Sequence, residues 1–131
     1  LAVQMPANHD HVSQQIIDDV ADEEPFATAL RNFVRPRNVL TASRYAEILH
    51  GAGLRDVRAS LVVYGHELSE AREVVEWVKG STLTSFQRVL DKGTFDELVA
   101  RYETRLRARL GDAKPYYFTF DRILLWATRP G

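Results

Sequence analysis

The apolar segment at residues 123–127 restricts the fold more than any other feature of the chain. Ile123-Leu124-Leu125-Trp126-Ala127 is apolar at every position and lacks the alternation of a strand with one wet face. Such a strand is typical of a sheet interior, covered by helices on both faces, so it needs a neighbouring strand on each side. The two other predicted strands cover residues 1–5 and 57–68. We therefore place the last strand, residues 116–128, between them.

The first predicted strand has the same character. Leu1 to Met5 is a short apolar run that ends at Pro6, which has no N–H to donate to a sheet. A strand that is apolar on both faces also belongs inside a sheet. We expect further sheet beyond this strand, formed by residues upstream of Leu1.

Helices are predicted between the strands from apolar residues three or four positions apart. The predicted apolar faces comprise Val12, Ile16 and Val20; Tyr45, Ile48 and Leu49; Val74, Trp77 and Val78; and Leu98, Tyr102 and Leu106. Asn8 or Asp10 is predicted to cap the first helix, and Thr94 with Glu97 to form a capping box for the last. Strands separated by helices predict an α/β domain.

Composition excludes several classes of function. Seventeen basic against eighteen acidic residues give no strong field for nucleic acid or a membrane surface. The absence of cysteine excludes a disulfide framework, a thiolate nucleophile and a cysteine-ligated metal, and it fits a reducing cytoplasm. No apolar run reaches the roughly 18 to 20 residues that a membrane span needs, and no signal peptide is visible.

The polar loop after the first strand is a candidate ligand site. His9, Asp10 and His11 are adjacent, so their side chains diverge, and we predict no metal site. The loop nevertheless follows the carboxyl end of a strand, where open α/β sheets bind ligands. Asn8 and His9 are therefore candidates for substrate contact, with loop capping as the alternative.

Arg122 is a second candidate because it lies inside the last strand, next to the apolar run. A buried arginine needs an anionic partner, which could be a bound anion or the carboxylate of Asp121, Glu67 or Glu76. The other alternative is a place near the strand end where Arg122 reaches water. Trp77 and Lys79 stand at the end of a helix, where aromatic packing and the helix dipole explain them as well as a substrate wall does. No serine–histidine–acid arrangement is readable, so we expect a binding surface rather than a nucleophile.

Three motifs resemble one enzyme family. They are Leu-Ala-Val-Gln-Met-Pro-Ala-Asn at 1–8, Val-Glu-Trp-Val-Lys-Gly at 75–80 and Phe-Asp-Arg-Ile-Leu-Leu-Trp-Ala at 120–127. In this order they resemble the C-terminal half of the trans-aconitate 2-methyltransferase family, which belongs to the class I S-adenosylmethionine-dependent methyltransferases. The resemblance implies a Rossmann-like α/β fold in which residues 1–5, 57–68 and 116–128 are strands 5, 6 and antiparallel 7.

The resemblance also implies that strands 1–4 and the main S-adenosylmethionine-binding motifs lie outside the chain. Residues 1–131 would be the C-terminal, substrate-side portion of a single domain, inactive alone. The implied reaction is cytoplasmic methyl transfer to a carboxylate oxygen of a small polycarboxylic acid, with trans-aconitate as the expected acid and no catalytic side chain assigned. The implied substrate-binding residues are Gln4, Asn8, His9, Tyr64, His66, Trp77, Lys79 and Arg122.

One departure from the family pattern keeps other functions open. After Gly80 the family has a Leu-Arg-Pro stretch, but this chain has Ser-Thr-Leu-Thr-Ser at 81–85, so a cation is lost. Another small acid or a malonyl thioester is therefore an alternative substrate. A non-enzymatic binding or assembly module is the other alternative, in which the exposed edge of the first strand pairs with another chain.

Overall fold

The computed structural model describes residues 1–36 and 39–131. Along these residues the elements are β1 (Ala2–Pro6), α1 (Val12–Ala21), α2 (Phe26–Ala29), α3 (Ala42–Gly51), β2 (Arg55–Leu68), α4 (Arg72–Lys79), α5 (Thr84–Gln87), α6 (Lys92–Leu110) and β3 (Tyr116–Thr128). They group into two compact units. The sheet unit contains residues 1–9, 39–66 and 119–131, and the helical unit contains residues 10–36 and 67–118.

The sheet has the strand order β1-β3-β2, so the last strand lies in the middle as predicted. β1 and β3 are antiparallel, with Ala2 opposite Trp126 and Pro6 opposite Arg122. Thr128 Oγ1 at the end of β3 donates a hydrogen bond to the carbonyl oxygen of Arg55 at the start of β2, 3.1 Å away. The predicted α/β class and the central antiparallel position of the last strand are confirmed.

Helix α3 covers one face of this sheet. Ala7, Ile123 and Leu125 form a buried cluster, against which Tyr45 and Leu49 of α3 pack. Leu49 and Tyr45 lie four residues apart, so one helix stripe reaches the strands. This stripe confirms two of the three residues predicted for the face of α3, whereas Ile48 is exposed.

The second face of the sheet, opposite α3, is different. The side chain of Trp126 is 50% exposed, although Ile123, Leu125 and Ala127 beside it are buried. The predicted burial of residues 123–127 on both faces is therefore not met within the described residues. β1 lies at an edge of the sheet with most of its residues exposed, rather than in the interior. Residues 123–127 are apolar throughout, but in the part of the sheet unit that the structure describes α3 covers them on one side.

The helical unit has a core of its own, formed mainly by α1, α4 and α6. Leu98, Tyr102 and Leu106 are fully buried along α6, as their spacing predicts. The Tyr102 hydroxyl donates a 3.0 Å hydrogen bond to the carbonyl oxygen of Ser13 in α1. This bond satisfies a polar group that would otherwise be costly to bury.

Two predicted helix caps are wrong. His11, rather than Asn8 or Asp10, caps α1, because its Nδ1 accepts from the Ser13 N–H at 3.2 Å. Asp91, three residues before the predicted cap Thr94, caps α6, so the helix begins at Lys92. Asp91 Oδ1 accepts from the Thr94 N–H at 2.8 Å. A carboxylate in extended backbone reaches the free N–H groups of the first turn as well as threonine does, so it starts the helix earlier.

Candidate functional site

The eight residues predicted to contact substrate divide between the two units. Those in the sheet unit are Gln4, Asn8, His9, Tyr64, His66 and Arg122; those in the helical unit are Trp77 and Lys79. Each group is described within its own unit.

Arg122 and Gln4 share the second face of the sheet. Arg122 lies opposite Pro6 and Gln4 lies opposite Leu124, in register positions that alternate with buried Ile123 and Leu125. Because directly opposed residues point to the same side, Gln4 and Arg122 are diagonal neighbours. Both are therefore on the side away from α3.

The Arg122 guanidinium lies over the Phe120 ring, 5.1 Å from its centroid. Within the described residues of the sheet unit, the ion pair with Asp121 that the sequence leaves open is not formed. An aromatic face attracts the cation electrostatically and still leaves its N–H donors available. Arg122 is thus a half-buried cation with donors for a planar anion such as a carboxylate.

Asn8 is tied to the same part of β3. Its Oδ1 accepts a 3.2 Å hydrogen bond from the backbone N–H of Asp121, and the N–H of Ala7 donates to the Asp121 carbonyl at 2.8 Å. The oxygen of the Asn8 amide is therefore engaged by the backbone. Its NH₂ group can still donate, whereas neighbouring His9 is exposed.

Tyr64 and His66 lie toward the end of β2. They are two residues apart, so they share one side of that strand. Tyr64 is 39% exposed. The second face thus carries Gln4 and Arg122, and β2 adds the exposed side chains of Tyr64 and His66 to the sheet unit.

Lys79 in the helical unit is already paired. Its Nζ lies 2.9 Å from Glu103 of α6 and 3.5 Å from Glu76 of its own helix. The hydrogen bond with Glu103 raises the pKa of Lys79, and the same bond lowers the pKa of the Glu103 carboxyl. Any anion that binds Lys79 would compete with these two carboxylates.

Trp77 combines packing with exposure. Its ring packs on Phe118 with centroids 5.4 Å apart, and Phe118 also meets the His11 ring edge-on at 5.0 Å. Trp77 is nevertheless 44% exposed. It can therefore support the helical unit and present apolar surface at the same time.

The sequence missed two partners of these residues. Phe120 lies two positions before Arg122, so the period of a strand could have paired them on one face. Glu103 lies 24 positions from Lys79 on another helix, and no local pattern signals that contact. In residues 1–36 and 39–131 no group of three or more metal-ligating side chains occurs. No helix in the same ranges is long and apolar enough to cross a membrane.

No protein-family model matches the chain. The chain is 38% identical to the trans-aconitate 2-methyltransferase of Deinococcus radiodurans, over 99% of this chain and 52% of that protein. It is 36% identical to the enzyme of the same name from Methylobacterium nodulans and 31% identical to that from Sinorhizobium medicae, in each case over 98% of this chain and 51% of the relative.

The similarity thus extends over nearly all of this chain, which spans about half the length of the curated relatives it matches. A three-stranded sheet with an antiparallel central strand is what the end of a class I methyltransferase domain contributes. The chain is therefore related to the trans-aconitate 2-methyltransferases, and its fold matches the C-terminal part of a class I methyltransferase.

Proposed function

We propose that residues 1–131 form the substrate-side part of a methyltransferase domain that transfers a methyl group to a carboxylate oxygen of trans-aconitate. The observation that carries the proposal is Arg122, a cation on the second face of the sheet that rests on an aromatic ring and pairs with no carboxylate among the described residues of the sheet unit. The names of the relatives support the reaction and the acid.

The chemistry asks this chain for binding rather than for acid–base catalysis. A carboxylate is itself a nucleophile, so the protein has to hold its oxygen in line with the methyl group and exclude water. Arg122 would bind one carboxylate of the acid through paired N–H donors. Gln4, Asn8, His9, Tyr64, His66, Trp77 and Lys79 complete the proposed substrate-binding set.

S-adenosylmethionine would supply the methyl group, but the described residues do not fit its binding site. Gly53 has a φ of 87° and follows the last turn of α3, so it closes a helix rather than cradling a ligand after a strand. We assign the cofactor site to residues outside this chain. The lack of cysteine fits the reducing cytoplasm in which we place the reaction.

Labelled S-adenosylmethionine and trans-aconitate test this proposal with the full-length protein. Arg122→Gln is expected to raise the KM for trans-aconitate by roughly 10- to 100-fold, because a charge-assisted hydrogen bond contributes about 1.5–3 kcal/mol. Arg44→Gln is the matched control, since Arg44 pairs with Glu47 on the exposed surface of α3. An unchanged KM in Arg122→Gln contradicts the proposal, as does methyl transfer at the full enzymatic rate by residues 1–131 alone.

A different acid is the first alternative, motivated by the missing cation after Gly80. A panel of di- and tricarboxylic acids and a malonyl thioester, assayed with the same protein, separates these substrates. A higher kcat/KM for another acid than for trans-aconitate would replace the substrate but keep the reaction.

A binding or assembly module is the second alternative, and the exposed edge of β1 favours it. Unpaired strand edges promote association with another chain. Sedimentation of residues 1–131 tests self-association directly. Gln4→Pro disrupts the β1 edge, so a dimer that pairs through this edge should dissociate to monomers in this variant. If the full-length protein forms a stable dimer and Gln4→Pro keeps the dimer mass, pairing through β1 is contradicted.

A further inference from the structure

The end of the β1–β3 ladder is built in an unusual way. At the opposite end, Leu1 and Ala127 exchange two backbone hydrogen bonds, at 2.7 and 3.0 Å. In an antiparallel ladder every second residue pair is hydrogen-bonded in this way. The register brings Ala7 opposite Asp121 as the last such pair. The Ala7 N–H donates to the Asp121 carbonyl as expected, but the Asp121 N–H is bonded to the side chain of Asn8.

The Asn8 amide oxygen therefore replaces the carbonyl oxygen of Ala7. Because the side chain accepts this bond, the backbone can turn away from the sheet at Ala7 while the N–H of Asp121 keeps an acceptor. It also holds the backbone next to Arg122 from both directions, because Asp121 donates to Asn8 and accepts from Ala7. Arg122 lies opposite Pro6 in a pair that exchanges no backbone hydrogen bonds, so the Ala7–Asp121–Asn8 bonds are the ladder contacts next to it on this side.

From this geometry we infer that Asn8 is a positioning residue, which sets Arg122 through the backbone of Asp121 so that the guanidinium can bind a substrate carboxylate. The inference rests on the proposed function, because it takes Arg122 as the carboxylate-binding group. It differs from a direct contact of Asn8 with substrate, since the effect of Asn8 passes through its oxygen and not its NH₂ group.

Hydrogen exchange measures the proposed link directly in the full-length protein. Asn8→Ala removes the acceptor, so the Asp121 amide is expected to exchange at least roughly 10-fold faster. Asn8→Asp keeps an oxygen at the same reach and is expected to retain slow exchange. Asn32→Ala, at an exposed position of the helical unit, is the matched control. Slow exchange at Asp121 in Asn8→Ala overturns the inference.

A double-mutant cycle tests whether Asn8 acts through Arg122. Asn8→Ala alone is expected to raise the KM for trans-aconitate roughly 3- to 10-fold and to change kcat by less than about 2-fold. In an Arg122→Ala background the same substitution is expected to change KM by less than about 2-fold. If Asn8→Ala raises KM by the same factor with and without Arg122→Ala, the inference about Asn8 is overturned and the proposed function is not affected. An unchanged KM in Arg122→Ala itself contradicts the proposed function, so the two failures are distinguishable.

Discussion

The helical unit and the sheet unit bury their apolar residues to different degrees. In the helical unit Phe26, Val74, Leu98 and Tyr102 are fully enclosed by residues of the chain. In the sheet unit α3 covers a small cluster on one face, while Leu61 is 55% exposed and Trp126 is 50% exposed. The helices and strands of both units are predicted from the same kind of apolar pattern, but the units differ in how many of those apolar side chains the described residues bury.

This difference indicates that the helical unit contributes most of the chain's own stability. Burial of a leucine or phenylalanine side chain stabilises a fold by about 1.5–3 kcal/mol, and exposed side chains contribute little of this. We propose that the exposed apolar residues of the sheet unit are a surface that the rest of a methyltransferase domain covers.

A cavity in the helical unit is expected to have the largest effect. Leu98→Ala should lower the free energy of unfolding of residues 1–131 by about 2–5 kcal/mol, because Leu98 is fully buried on α6. Leu61→Ala, in the sheet unit, is the matched control and should cost less than about 1 kcal/mol. Urea denaturation followed by circular dichroism measures both. Equal losses in the two variants would show that the units do not differ as described.

The cap of α3 is expected to have a smaller effect. Thr41 Oγ1 accepts a 3.2 Å hydrogen bond from the Arg44 N–H and so satisfies one free donor of the first turn. Thr41→Ala should reduce the free energy of unfolding by about 1 kcal/mol, and Thr41→Ser by much less. Because α3 covers Ile123 and Leu125, hydrogen exchange of their backbone amides should accelerate more than that of amides in α6. Faster exchange in α6 instead would contradict a local role of this cap.

The ion pair of Lys79 with Glu103 is expected to have the smallest effect. Lys79→Met should reduce the free energy of unfolding by about 0.5–1 kcal/mol near neutral pH. The Glu103 part of this contribution is complete above the ordinary carboxyl pKa of 4.5 and is lost as pH falls through the lowered pKa of the folded state. The Lys79 part is complete below the ordinary pKa of 10.5 and is lost as pH rises through the raised one.

The difference in stability between Lys79→Met and the unmutated chain should therefore be largest between about pH 5 and pH 10 and shrink outside that window. Denaturation at a series of pH values measures it, with Arg44→Met as a control for an exposed pair on α3. A difference that stays constant down to pH 2 would mean that Lys79 stabilises the helical unit by packing instead.

Local patterns were sufficient for most of the fold. The buried face of α6 follows from the spacing of Leu98, Tyr102 and Leu106, and the central place of β3 follows from its continuous apolar run. The caps His11 and Asp91 were missed because several polar residues near each helix start can accept the same N–H. The sequence predicted too much burial at Trp126. An apolar pattern indicates that a strand is suited to burial on both faces, but it does not show whether the described residues cover both faces.

The candidate site was less predictable. Arg122 stands out in the sequence because a cation inside an apolar strand needs a partner, and its contact with Phe120 follows from the strand period. Its role in substrate binding stays a prediction. The bond between Asn8 and the Asp121 N–H joins residues 113 positions apart and depends on the register of β1 with β3. Register is set by the assembled sheet, so no local motif could reveal that Asn8 takes part in the ladder.

The amide of Gln4 tests most directly whether the sheet unit is completed by residues outside this chain. Since Leu1 and Ala127 form a hydrogen-bonded pair, Ala2 and Gln4 direct their N–H groups away from β3. We predict fast exchange of the Gln4 amide in residues 1–131 and exchange slowed by roughly 100-fold or more in the full-length protein, where another strand would accept its hydrogen bond. Equally fast exchange of the Gln4 amide in both proteins would contradict the completion of the sheet by a strand outside this chain.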